Sequence, residues 1–155
     1  MKLTHKKCSR SQRGVAAVEF CIVVPLCLFL FLAVSEFGRA ILQYNTLTKA
    51  VRDGVRYVAD NAAIGQTQTV NLTGAVIAEA SNLVAYGNTG ATGPTLLPGL
   101  APGNVTIADE GASVISLTAT YDYQPMLGAI LPDLLGTGGQ NTAFTMRAQV
   151  TMRAL

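Results

Sequence analysis

Glu19 is a carboxylate in a costly place. It follows RGVAAV at residues 13–18 and precedes residues 20–34, which carry no charge at all. An ionisable group inside an apolar helix of membrane length costs about 3 kcal/mol unless something pairs with it, so it marks a site that needs a partner. No Lys or Arg lies between Gly14 and Arg39. The compensating charge must come from a chain terminus, another subunit or another protein, and each of those points to assembly.

Other chemistry is thin. The single His, His5, lies in the N-terminal leader, leaving the rest of the chain without an imidazole for a triad, a zinc site or general-base work near neutral pH. G-x-S-x-G is absent, no GK[ST] follows the glycines of GNTGATGP, and no acidic cluster has calcium-loop spacing. An enzyme is not expected, and no cofactor or metal. Asp109 and Glu110 read as a solvated turn, and Tyr121 and Tyr123 as half-buried strand aromatics rather than a ligand platform. The triplets Asn71-Leu72-Thr73 and Asn104-Val105-Thr106 fit the glycosylation acceptor pattern, which matters only in a eukaryotic secretory context.

The composition is 50% hydrophobic with only 13% charged residues, and the apolar excess is local. Residues 15–34 form an apolar run interrupted only by Glu19, about the ~20 residues a helix needs to cross a hydrocarbon core. Lys2, Lys6, Lys7, Arg10 and Arg13 precede it, leaving 6 basic residues against 9 acidic ones beyond. The positive-inside rule keeps this leader cytoplasmic and sends the C-terminal part across. A nucleic-acid partner is not expected, because the basic patch is short, lacks aromatic partners and is explained by topology. Cys8 lies in the leader, while Cys21 and Cys27 sit about 240° apart around a helix at ~100° per residue. The exported part holds no Cys and must rely on packing rather than disulfides.

Pro25 removes one backbone hydrogen bond within the apolar run and is expected to kink the helix. Beyond Val34 the pattern becomes striped: Phe37, Ile41, Tyr44, Val51, Val55, Val58 and Ala62 recur at threes, fours and sevens. Lys49 with Asp53 and Arg56 with Asp60 stand at i, i+4 on the opposite face. The helix is therefore expected over residues 15–62, with a transmembrane half at 15–34 and an amphipathic half at 35–62. A linker at residues 65–69 precedes a second helix over residues 73–86. Residues 87–103 hold five Gly and three Pro and read as a surface loop.

Two strands close the chain. Residues 113–123 alternate Ile115, Leu117, Ala119, Tyr121 and Tyr123 with polar residues, and residues 142–153 alternate Phe144, Met146, Ala148, Val150 and Met152. Residues 104–107 add a short strand, and residues 126–135 at most a turn or two of helix. The expected fold class is α+β: a long N-terminal helix packed on a small antiparallel sheet, with a second short helix, in an extracytoplasmic domain at residues 63–155.

The N-terminus allows three readings. A basic leader with residues 20–34 and Ala33-Val34-Ser35 suits a secretory signal peptide. A plain single-pass anchor carrying a binding domain that does not polymerise is the second. The third comes from resemblance. Gly14 followed by Glu19 and Phe20 looks like a type IV prepilin-type leader, residues 1–14. The continuation resembles the N-terminal segment of TadE-like proteins, minor pilins (pseudopilins) of the bacterial Tad/Flp pilus system. Glu19, Phe20, Pro25, Glu36, Phe37, Gly38, Arg39, Ala40, Asn45, Ala50, Arg52, Gly54, Arg56 and Tyr57 stand in matching order.

That resemblance covers less than a third of the chain. It implies a structural subunit of an adhesive pilus, cut between Gly14 and Val15 by a prepilin peptidase. Glu19, with Phe20 beside it, would then pair with the N-terminal ammonium of a neighbouring subunit. The implied partners are the peptidase, other minor pilins, major pilin subunits, the inner-membrane assembly platform and membrane lipid. The implied location is the bacterial inner membrane, N-terminus cytoplasmic and domain periplasmic, with passage to a cell-surface pilus.

Overall fold

The computed structural model describes residues 10–62, 70–126 and 143–154. The leader up to residue 9, the linker at 65–69 and most of the segment expected to form a helical turn near 126–135 lie outside the described residues. Helix α1 spans Arg10–Ala62, α2 Gly74–Tyr86, and strands β1, β2 and β3 Val105–Gly111, Val114–Tyr123 and Phe144–Arg153; a short 3-10 turn at Pro102–Asn104 leads into β1. The fold is α+β, as the alternation and periodicity indicate.

α1 runs without interruption through Pro25, whose missing N–H removes the bond to the Cys21 carbonyl. At ~1.5 Å per residue its 53 residues extend roughly 80 Å. From Gly14 to Val34 the helix is exposed except at Val24, which is partly buried, and α1 is long and apolar enough to cross a membrane. α2 begins where Thr73 caps it, the Thr73 hydroxyl accepting from the Val76 N–H, and ends at Gly87 in the left-handed region with φ 75°. Thr73 of the glycosylation-like triplet thus has a structural role.

The described sheet is antiparallel in the order β1-β2-β3. Its register sets Tyr123 opposite Phe144, Tyr121 opposite Met146, Ala119 opposite Ala148, Leu117 opposite Val150 and Ile115 opposite Met152. The apolar sets of β2 and β3 therefore share one face, and that face lies on α1. α2 packs along α1 beside the sheet. The closest approach is at Gly54, where a Cβ would stand 2.5 Å from Val84 Cγ2 and 3.1 Å from Leu117 Cδ1. Only a residue without a side chain lets α1, α2 and β2 meet there.

Three expectations are corrected. The stripe on α1 is covered only in its outer part: Leu47, Ala50, Val51, Val55, Val58 and Ala62 are buried, whereas Phe37, Ile41 and Tyr44 are exposed. A seven-residue recurrence drifts about 20° per heptad around a straight helix. Phe37, three heptads before Val58, is therefore rotated about 60° off the covered face. A period of 3.6 counted back from Val58 instead lands near Leu47, Gln43, Ala40 and Glu36, and all four are at least partly buried.

The loop at 87–103 is not all surface, because Leu97 and Leu100 are buried in the core. The first strand is longer than residues 104–107. It reaches Gly111 through Asp109 and Glu110, whose carboxylates accept from Gly111 N–H at 2.9 Å and Ser116 Oγ at 2.6 Å. Of the two i, i+4 pairs, Arg56 and Asp60 approach to 4.0 Å with both side chains exposed, while Lys49 and Asp53 form no ion pair. At such exposure the closer pair contributes at most a few tenths of a kcal/mol.

Candidate functional site

α1 carries two polar stations separated by the apolar run. The first is Glu19. It lies with Gly14, Val15, Val18 and Ile22 along one open helical surface. Val15 and Glu19 are one turn apart, about 6 Å along the axis. Phe20 is exposed on the adjacent face, and Pro25 lies a turn and a half beyond. A Cβ at Gly14 would meet nothing within 4 Å, so no contact inside the chain requires that glycine. Among the described residues Glu19 takes part in no ion pair, and Val15, Val18, Phe20 and Ile22 around it stand open. The surface suits packing against another helix and the acceptance of one positive charge.

The second station sits just past the apolar run and was not foreseen as a site. β2 runs antiparallel to α1, with Leu117 beside Gly54, Tyr121 at Gln43 and Tyr123 at Glu36. The Tyr121 hydroxyl donates to Gln43 Oε1 at 3.0 Å. The Tyr123 hydroxyl donates to the Glu36 carboxylate, which also accepts the Met126 N–H at 3.2 Å. Arg39 lies on the same side of α1, and its Nη1 is buried with no hydrogen-bond partner among the described residues. The end of the sheet is thus bound to α1 by polar contacts, where Glu36 comes two residues after the last apolar one. The missed signal was a pair of strand tyrosines whose hydroxyls needed acceptors, combined with Glu36 and Gln43 in 3.6-residue phase with the buried face.

Burial and the Glu36 carboxylate push the Tyr123 phenol up to about 12, against the opposing pull of the Arg39 guanidinium. Burial also raises Tyr121, again opposed by Arg39. Tyr57, which donates to Glu79 Oε2 at 2.5 Å, is raised chiefly by that hydrogen bond. A phenol raised in the folded state holds its proton more tightly there than in the unfolded chain. Its contribution is complete below pH 10 and is lost as pH rises through about 12. Urea titrations across that interval should show falling stability, and Tyr123→Phe should flatten the slope while lowering stability at neutral pH. An unchanged slope in the variant would refute the Tyr123–Glu36 contact.

Comparison with known proteins bears on this helix. Residues 14–56 match the model of a family described as TadE-like protein. No curated protein and no solved structure matches the chain significantly. The matched segment holds Glu19, Pro25, Glu36, Arg39, Gln43 and Gly54, and ends before α2 and the sheet begin. Through its long N-terminal helix, the chain is similar to TadE-like proteins.

Proposed function

We propose that the chain is a minor pilin, or pseudopilin, of a Tad/Flp-type pilus: a non-enzymatic subunit whose α1 anchors it in the bacterial inner membrane and packs with other pilins during assembly. In this reading residues 1–14 are a leader that a prepilin peptidase removes on the cytoplasmic side, and the domain beyond residue 62 lies in the periplasm until the subunit joins a pilus. The observation that carries the reading is Glu19, an exposed carboxylate in an apolar helix, unpaired among the described residues and one turn from Val15. Cleavage before Val15 would remove five basic residues and create an ammonium. The same group on a neighbouring subunit would offset the cost of burying Glu19. Other minor pilins, major pilin subunits and the assembly platform are the partners this implies, and a bend at Pro25 would let α1 fit among them.

Continuity of α1 supports the same reading. The helix passes through residues 33–36 without a break and continues to Ala62, where a signal-peptide cut would divide it just ahead of the Glu36 contacts. Mass spectrometry of the protein purified from membranes should find Val15 as the first residue, and Gly14→Ala should leave the precursor intact. A mature chain beginning at Glu36 would establish a secretory signal instead, and an uncut Met1 a plain anchor.

A further inference from the structure

The domain's lower rim carries apolar side chains that the fold leaves open. Phe37 is 69% exposed, Met126 64% and Phe144 49%. Their height is fixed by Glu36, whose carboxylate holds both the Tyr123 hydroxyl and the Met126 N–H. Phe144 is paired with Tyr123 in the sheet, and the two rings lie 5.1 Å apart. Glu36 stands only about 3 Å along the helix axis beyond Val34, the end of the apolar run. The headgroup layer outside a hydrocarbon core is roughly 5–7 Å deep. If α1 crosses the bilayer up to Val34, these three side chains lie within that layer.

We propose that this rim, Phe37 with Met126 and Phe144, is seated in the headgroup layer of the membrane that α1 crosses, so that the domain rests on the lipid surface. The inference relies on the reading of α1 as a membrane span. Lipid is the occupant because Phe37 follows the apolar span with only Ser35 and Glu36 between, Met126 and the Tyr123–Phe144 pair are tied to that level through Glu36, and the Glu36 carboxylate is already satisfied. Aromatic and other apolar side chains at this depth gain by leaving water, and the layer is where aromatic belts form. Asp122, the nearest acid on β2, turns to the other sheet face, where it accepts from the Thr145 hydroxyl at 2.6 Å.

The chain contains no Trp, so an introduced indole is a unique reporter. Full-length protein carrying Phe144→Trp or Met126→Trp would be reconstituted in vesicles of phosphatidylethanolamine and phosphatidylglycerol, with doxyl labels either at the top or deep in the acyl chains. Phe29→Trp reports on the span. Thr151→Trp, seven residues up β3 and so about 23 Å higher, reports on the distal end. Expected is several-fold stronger quenching of both rim reporters than of Thr151→Trp by the shallow label, and of Phe29→Trp by the deep one. Rim reporters that respond like Thr151→Trp overturn the proposal while a quenched Phe29→Trp leaves the span intact. Rim reporters shielded from both lipid label and aqueous iodide overturn it in favour of a protein covering. An unquenched Phe29→Trp removes the span itself and the proposal with it.

Discussion

A fragment of residues 35–155 should melt cooperatively, and Val51→Asp should abolish that transition while Tyr44→Asp leaves it nearly unchanged. Val51 has 0% exposure at the centre of the cluster formed by α1, α2 and the inner face of the sheet. A carboxylate there has no partner and costs at least about 4 kcal/mol, a large share of the roughly 5–15 kcal/mol that holds a domain together. Tyr44 is 45% exposed on the rotated part of the stripe, where a surface substitution costs about 0.5 kcal/mol. Circular dichroism melts of the three proteins decide it. Equal loss in both variants would mean that the sheet covers the seven-residue stripe and that the face assigned to Glu36, Gln43 and Leu47 is wrong.

The difference between those two positions shows where the sequence stopped being readable. Strands β2 and β3 were legible because a period of two has no drift, so Ile115 to Tyr123 and Met146 to Met152 declare their face residue by residue. α2 was legible because Thr73 and Gly87 punctuate it. The burial of α1 was not, because recurrences at seven fit both a straight helix and a supercoil over short lengths and separate only over several turns. In the absence of a partner's position, Phe37, Ile41 and Tyr44 looked equivalent to Val51 and Val58.

Two further misreadings have local causes. Glycine and proline density made residues 87–103 look solvated, while Leu97 and Leu100 return to the core and the Leu96 N–H bonds to the Ala85 carbonyl at 2.8 Å. Asp109 and Glu110 looked like a turn, but the turn comes later. Ala112 and Ser113 adopt φ of 51° and 62°, conformations usually marked by Asn-Gly, and that missing mark hid the hairpin. At the candidate site, Glu19 was conspicuous because a charge in an apolar run violates a single-residue rule. Glu36, Arg39 and Gln43 were not, since polar residues beyond the apolar run look ordinary until the tyrosines of a strand some eighty residues away are laid against them.

The largest functional effect should come from Glu19 itself. Glu19→Gln keeps the size and removes the charge, so insertion in the membrane should be unchanged or slightly easier, the carboxylate having cost about 3 kcal/mol when unpaired. What it loses is attraction to a neighbouring ammonium, an interaction that exists only between subunits. Glu19→Leu should behave the same way, because its side chain suits lipid still better and offers no charge. Membrane fractions from strains carrying each variant should therefore contain normal amounts of protein with an intact domain. The measurement is co-purification of the wild-type chain and both variants with the other pilus subunits, alongside a count of surface pili. The account predicts that both variants reach the membrane at wild-type levels yet lose the subunits and most of the pili. Wild-type co-purification and piliation in both would contradict it.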